Sequence, residues 1–150
     1  MRGLEYLYPP FKAKVEQLVA MCKERGLNIG LGETLRTVEE QNNMYAQGRT
    51  KPGSIITNAK GTDYNSQHQW GIAFDFFKNV KGSEFNDTLF FEQVGQLAKS
   101  IGLGWGGNWT KPKDRQIPKN TTFFAIRFKI LAIEYIFKKE IKSILDTSVN

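Results

Sequence analysis

His68 is the only histidine of this 150-residue chain, and Asp75 follows it seven residues later. Imidazole nitrogen and carboxylate oxygen are both zinc ligands, and a catalytic zinc takes three protein ligands and keeps a fourth position open for water. The pair could therefore supply two of three ligands. Spacing alone leaves a second interpretation open, in which the histidine and the carboxylate form an ordinary hydrogen bond.

Two side chains seven residues apart reach one metal ion only if the backbone between them bends. On a straight helix their Cα atoms would lie about 10 Å apart, and on an extended strand roughly twice as far. Gly71 lies between them and can adopt the backbone conformations of a sharp turn. We predict a turn there, followed by a strand over residues 71–77 that places Ile72, Phe74 and Phe76 on one face and Asp75 on the other.

Three helices are predicted around this strand from apolar spacing and capping residues. The expected boundaries are Pro10 and Gly26 for the first helix, Thr37 and Gly48 for the second, and Asp87 and Gly102 for the third. Residues 27–31 alternate as a short strand, and residues 48–66 form a long loop with one extended piece at 55–57. The pattern indicates an α+β fold, a small antiparallel sheet with flanking helices.

Composition narrows the class of protein. The hydrophobic fraction of 40% is too high for a disordered chain, and no apolar run has the length of a membrane span. Cys22 is the only cysteine, so no disulfide can form within the chain, and its helical register predicts a buried thiol. The first residues contain no apolar signal-peptide core, which favours synthesis in the cytoplasm without a signal peptide.

The last forty residues differ in charge from the rest. Residues 111–150 contain 9 Lys and Arg against 4 Asp and Glu, whereas residues 1–110 contain 12 against 11. The segment TTFFAIRFKILAIEYIF within this region is apolar and basic with no clean period, and a helix is one interpretation of it. A basic surface suits an anionic partner such as a wall polymer, a membrane surface or nucleic acid, without choosing among them.

The residues around His68 add a more specific signal. SQHQWGIAFD fits Ser-x-His-x-x-Gly-x-Ala-x-Asp, and this pattern resembles the zinc D-alanyl-D-alanine carboxypeptidase and L-alanoyl-D-glutamate endopeptidase family, which cuts the peptide stems of peptidoglycan. ETLRTVEEQNNMYAQGRTKPGSIITNA and GLGWGGNWTKPKDR resemble further segments of that family, so the likeness covers roughly residues 28–115. It implies a hedgehog/D-Ala-D-Ala-peptidase-like fold.

The resemblance also implies roles. His68 and Asp75 match two zinc ligands, and Arg36 matches the arginine that steadies the substrate carbonyl or the oxyanion formed from it. Asp114 matches the general base that takes a proton from the attacking water, and Ser66 matches a position that shapes the substrate site. Each role suits metal-assisted hydrolysis, which uses a metal ion, a general base and a cation.

The chain departs from the family after Asp114. The family continues as Asp-x-Pro-His, with the third zinc ligand three residues after the acid, but that position here is Ile117. We therefore divide the chain into a peptidase-like part, residues 1–115, and a divergent tail of the same domain, residues 116–150. One hypothesis is that a replaced or frame-shifted C-terminus has removed the last strand of the fold, and a rival is a tail with its own binding task.

These observations predict a monomeric zinc peptidase that acts on peptidoglycan stem peptides. The protein would reach the bacterial wall after its release from the cell, as phage lysins do. Asp114, Cys22 or a carboxylate of the tail could substitute for the missing third zinc ligand. The alternative is an inactive or wall-binding relative of the same fold. A nucleic-acid binder using the basic tail ranks last, because residues 1–110 are nearly neutral. Neither a nucleic-acid partner nor a membrane-spanning segment is expected.

Overall fold

The computed structural model describes residues 1–106 and 122–125, the last four by their backbone. Three helices and four strands are connected by loops and short 3-10 turns. In chain order these elements are α1 (Pro9–Glu24), β1 (Ile29–Leu31), α2 (Val38–Ala46), β2 (Ala73–Lys78), α3 (Thr88–Ser100), β3 (Leu103–Trp105) and β4 (Thr122–Ala125).

Helix α1 confirms the predicted apolar face. Its two leading prolines occupy the first helical turn, where no backbone N–H is needed. One face is fully buried, and Gly26 follows the helix with a φ of 68°, a left-handed conformation that suits glycine. The buried residues of the helix are Phe11, Val15, Leu18 and Cys22. Burial raises the pKa of the Cys22 thiol to about 11, as expected for a thiol in the core.

Helices α2 and α3 begin at the predicted caps. The Thr37 side chain accepts from the Glu40 backbone N–H at 3.1 Å, and the Glu40 carboxylate accepts from the Thr37 N–H at 2.7 Å. This reciprocal pair is a capping box. Asp87 caps α3 by accepting from the Phe90 N–H at 2.9 Å.

Residues 48–66 form a loop after α2, as predicted. The piece predicted to be extended, residues 55–57, is not paired as a strand. Ile55 and Ile56 are exposed, so this piece has no buried apolar face that would stabilise it as a strand. The rest of the loop follows the prediction and ends in two 3-10 turns, Gly61–Asp63 and Gln67–Trp70.

The sheet is antiparallel, with strand order β1-β2-β4-β3. Leu31 pairs with Phe76 across β1 and β2, and Asp75 pairs with Thr122 across β2 and β4. β4 comes from the apolar tail segment, whose first residues therefore form a strand and not the helix considered from the sequence. The hypothesis that the last strand of the fold was lost is wrong in this respect, because β4 fills the place between β2 and β3.

The core lies between the sheet and the helices α1 and α3. Phe74 and Phe76 of β2 are fully buried and point to this side, as the alternation predicts. Phe74 contacts Phe11 of α1 with ring centroids 6.1 Å apart, and Phe76 contacts Phe91 of α3 at 5.2 Å. The opposite face of β2 is free of this packing and holds Asp75.

Candidate metal centre and active site

His68 is presented by the 3-10 turn Gln67–Trp70 and is 6% exposed. Its Nδ1 lies 3.3 Å from the carbonyl oxygen of Thr34, which can only accept a hydrogen bond. In the neutral tautomer with the proton on Nδ1, this nitrogen donates to the Thr34 carbonyl and the lone pair lies on Nε2. This arrangement, with one nitrogen anchored to a carbonyl and the other available, is typical of histidines that bind metals.

The predicted turn at Gly71 is confirmed. Gly71 has a φ of 60° and follows the 3-10 turn directly, so the chain reverses between His68 and the start of β2. A Cβ atom at this position would lie 2.6 Å from the carbonyl oxygen of Tyr6. Both the left-handed conformation and the close approach of the backbone require glycine. The bend brings the two candidate ligands together.

Asp75 projects from β2 toward His68. The Oδ1 atom of Asp75 lies 3.6 Å from Nε2 of His68, longer than a normal hydrogen bond. Two ligand atoms about 2.1 Å from one tetrahedral zinc ion lie about 3.4 Å apart. The separation, together with the lone pair on Nε2, fits two ligands of one ion. The structure therefore brings together the two side chains that the sequence analysis names as candidate zinc ligands.

Glu33 is a third potential ligand that the sequence analysis missed. One ligand atom each from Glu33, His68 and Asp75 lie within 4.8 Å of one another. This is the only such group of His, Cys, Asp and Glu among the described residues. Cys22, considered as a substitute ligand, is not part of it and lies in the core.

Glu33 reaches the site because the backbone joins the end of β1 to β2. The Asp75 N–H donates to the Glu33 carbonyl at 2.8 Å, and the Gly32 N–H donates to the Asp75 carbonyl at 2.7 Å. Residues 33 and 75 are thus held side by side. Distance along the chain gives no hint of this pairing, and only the register between β1 and β2 could have indicated it.

Arg36 is 7% exposed and belongs to the same cluster. Its Nε and Nη2 both donate to Oε2 of Glu33, the first at 3.0 Å, and its Nη1 donates to Oε1 of Gln41 at 2.7 Å. The backbone N–H of Arg36 also donates to the His68 carbonyl at 3.3 Å. The buried guanidinium is therefore paired with a carboxylate and an amide, as burial of a charge requires.

Gln41 ties the cluster to the long loop. It is fully buried in α2, and its Nε2 donates to the carbonyl of Ala59 at 2.7 Å. Ser66, at the other end of this loop, is also buried, and its carbonyl accepts the Gln69 N–H at 3.1 Å in the turn that carries His68. Asp114, the predicted general base, and Ile117 lie outside the described residues.

A cleft of about 640 Å³ opens beside the cluster. Glu33 and Asp75 line one part of it, and Phe77, Glu84 and Phe85 line another. Phe85 is 66% exposed, and its ring centroid lies 6.3 Å from that of Phe77. The cleft offers an apolar wall next to the candidate ligands, the type of surface that holds an organic substrate beside a reacting group.

Comparisons with known proteins identify the family of the chain. A family model described as D-alanyl-D-alanine carboxypeptidase matches residues 59–116, the stretch that contains His68, Asp75 and Asp114. The peptidoglycan L-alanyl-D-glutamate endopeptidase CwlK of Bacillus subtilis is 33% identical over 118 residues, covering 72% of this chain and 70% of CwlK. The chain belongs to this peptidase family. The resemblance inferred from the motifs is confirmed.

Solved structures show the fold of the family. The Serratia marcescens L-Ala D-Glu endopeptidase ChiX is 16% identical, with a TM-score of 0.62 and 86% of each chain covered. The L,D-carboxypeptidase DacB of Streptococcus pneumoniae is 20% identical, with a TM-score of 0.58, covering 85% of this chain and 72% of DacB. The prediction of a small antiparallel sheet with flanking helices in a D-Ala-D-Ala-peptidase-like fold is confirmed.

Proposed function

We propose that this family member is a zinc-dependent peptidase that cleaves the peptide stems of peptidoglycan. The observation that carries the proposal is the pairing of His68 Nε2 with Asp75 Oδ1 at 3.6 Å, a separation suited to two ligands of one zinc ion. The substrate class follows from CwlK, whose name describes a peptidoglycan endopeptidase and which spans most of this chain.

In this proposal His68 and Asp75 hold the metal. Bound zinc supplies a lowered pKa for water and polarises the scissile carbonyl. His68 contributes a ring held in one tautomer by Thr34, so no reorientation is needed when the metal binds. Asp75 contributes a carboxylate fixed by the backbone of β2. Asp114 is the proposed general base, on the strength of its place in the family motif.

Arg36 is the proposed cation that steadies the substrate carbonyl. A guanidinium has five N–H bonds, and those described here use three of them on Glu33 and Gln41. Two remain to donate to an oxygen of the substrate. Because Arg36 is nearly buried and rigidly held, little side-chain freedom is lost when it makes that contact.

The substrate peptide is proposed to lie in the cleft that Asp75 and Phe85 line. Ser66 shapes the neighbouring wall through the turn that carries His68, and Phe77 and Phe85 give apolar contact to the stem. The site of action is the cell wall, where peptidoglycan is found, and the proposed acting form is a monomer. Within the described residues no helix is long and apolar enough to cross a membrane.

Zinc analysis and hydrolysis of defined wall peptides test the proposal together. We expect about one zinc per chain after mild dialysis, and mass spectrometry of digested stem peptides should locate one cleaved bond, either L-Ala–D-Glu or the carboxy-terminal D-Ala link. His68→Ala should lose both zinc and cleavage. A wild-type protein that binds no zinc and cleaves no stem peptide would contradict the proposal.

Ile117, in place of the family's third ligand, favours a second candidate function. The chain would then be a non-catalytic wall-binding protein of the same fold. Co-sedimentation with purified cell walls distinguishes the two candidates. Binding that is equal for wild type and His68→Ala, with no peptide released by either, would support the binding protein and exclude the peptidase.

A further inference from the structure

We infer that Glu33 is the third metal ligand of this chain, completing a centre of one histidine and two carboxylates. The inference rests on the proposed function and names a residue that the family motif does not include. Among the described residues, Glu33 is the only further His, Cys, Asp or Glu side chain grouped with His68 and Asp75, with all three ligand atoms within 4.8 Å of one another.

Backbone hydrogen bonds alone hold Glu33 next to Asp75. Its carbonyl accepts the Asp75 N–H at 2.8 Å, so the two residues stay adjacent whether or not metal is present. Ligand atoms of one tetrahedral zinc ion lie about 3.4 Å apart, so side chains within 4.8 Å of one another close by up to about 1.4 Å around a metal, on a backbone that already holds residues 33 and 75 side by side. The site is therefore largely preformed.

The ion pair with Arg36 orients the Glu33 carboxylate. Both donors of Arg36 contact the same oxygen, Oε2, so this ion pair does not use Oε1. A carboxylate can bind metal through one oxygen while the other accepts hydrogen bonds from an outer residue, a common way of holding ligands in place. Oε1 is thus the atom that we assign to the metal.

The charge of the cluster agrees with this role. The carboxylates of Glu33 and Asp75 lie close together, and Arg36 pairs with that of Glu33. A divalent cation bound between the two carboxylates relieves their mutual repulsion.

The ligand set has a consequence for metal preference. Replacing an imidazole by a carboxylate gives one nitrogen and two oxygen donors, and oxygen-rich sites suit Mn²⁺ better than sites with two imidazoles do. We expect zinc still to bind more tightly than manganese, following the general order of affinities. The ratio of the two affinities should be smaller than at a site with two histidines.

Metal titration of the full chain tests the inference directly. Glu33→Gln keeps the side-chain shape but removes the charge, and we expect its Kd for Zn²⁺ to rise more than about 100-fold, beyond the usual effect of an outer residue. Glu84→Gln is the matched control, because it removes the same charge from the same cleft outside the ligand group. Its Kd should change less than about threefold.

Visible absorption of the Co²⁺-loaded protein gives a readout independent of activity. A change of ligand alters the Co²⁺ bands, so Glu33→Gln should shift them and Glu84→Gln should not. Far-UV circular dichroism of both variants confirms that they are folded, and Glu33→Asp, which keeps the carboxylate, serves as a second variant with a smaller affinity loss.

The outcomes separate the inference from the proposed function. If wild type and Glu33→Gln bind zinc equally and share one Co²⁺ spectrum, Glu33 is not a ligand, while the zinc peptidase proposal stands. Loss of zinc in Asp114→Asn but not in Glu33→Gln would also overturn the inference. If the wild-type protein binds no zinc, both the inference and the proposed function fail.

Discussion

The buried side-chain amide of Gln41 holds the Arg36 guanidinium in position. It accepts from Arg36 on one side and donates to the Ala59 carbonyl on the other, and it is fully buried. Both hydrogen bonds measure 2.7 Å. The position of the guanidinium therefore depends on a residue whose side chain hydrogen-bonds to Arg36 and to the long loop.

Truncating Gln41 tests this dependence. Gln41→Ala should destabilise the fold by about 1–3 kcal/mol, because a donor of Arg36 and the Ala59 carbonyl lose their partners inside the protein. Urea unfolding measures the loss, and kcat for stem-peptide cleavage should fall more than KM rises. Gln93→Ala on the exposed side of α3 is the control. Equal stability of the two variants would contradict the role of Gln41.

The candidate ligands show what a sequence reveals at this scale. His68, Asp75 and the turn between them were predictable because the motif and the bend lie within a few residues. Glu33 was not, because its approach to Asp75 depends on the register of two strands far apart in sequence. Arg36 was assigned from the family motif, whereas its pairing with Glu33 and Gln41 emerges only from the packed structure.

Among the connections between elements, the turn that joins the 3-10 helix to β2 leaves no room for a side chain at Gly71. Gly71→Ala should destabilise the protein by more than about 1 kcal/mol, because the left-handed conformation opposes a Cβ and the Tyr6 carbonyl blocks it. Gly82→Ala is the control, with a φ of 82° but open space around the added Cβ. Thermal unfolding compares the two, and the hypothesis fails if Gly82→Ala costs as much.

The N-terminus of α3 should respond to acid. The hydrogen bond from Lys78, and next the backbone N–H of Phe90, lower the pKa of Asp87 below its ordinary value. A lowered folded pKa means that the carboxylate stabilises the fold above the ordinary pKa, and that this contribution disappears as pH falls through the folded pKa. The loss is therefore expected below about pH 4.

Asp87→Asn isolates that contribution, since asparagine also caps helices well but does not ionise. The variant should show a shallower fall of Tm between about pH 5 and pH 2 than the wild type. At neutral pH the difference should be small, because the Lys78 pair is partly exposed to solvent. Parallel pH profiles for the two proteins would contradict the assignment.

The helices were predictable from sequence because their signals are local. Prolines, the Thr37 capping box, Asp87 and a terminal glycine lie within or beside the helix that each one bounds. The short strands β3 and β4 were not predicted. β4 lies in an apolar segment with no clean period, and the place of both strands in the sheet depends on their pairing with one another and of β4 with β2.

At the scale of the molecule, β4 joins the tail segment to the peptidase-like part. It lies between β2 and β3 and pairs with both. A chain ending at Arg115 would leave both of those strands with unpaired edges. We expect this truncation to abolish cooperative urea unfolding and to promote aggregation, measured by circular dichroism and light scattering. A cooperative transition like that of the full chain would show that residues 1–115 fold alone.

The place of β4 within the sheet also affects the order in which the protein folds. β1 and β2 can pair as soon as both have left the ribosome, but β3 joins them only through β4, the last of the four strands to be synthesised. Closing such distant contacts slows folding and leaves strand edges exposed in the meantime. We therefore expect the nascent chain to be most prone to misassociation before β4 has been synthesised.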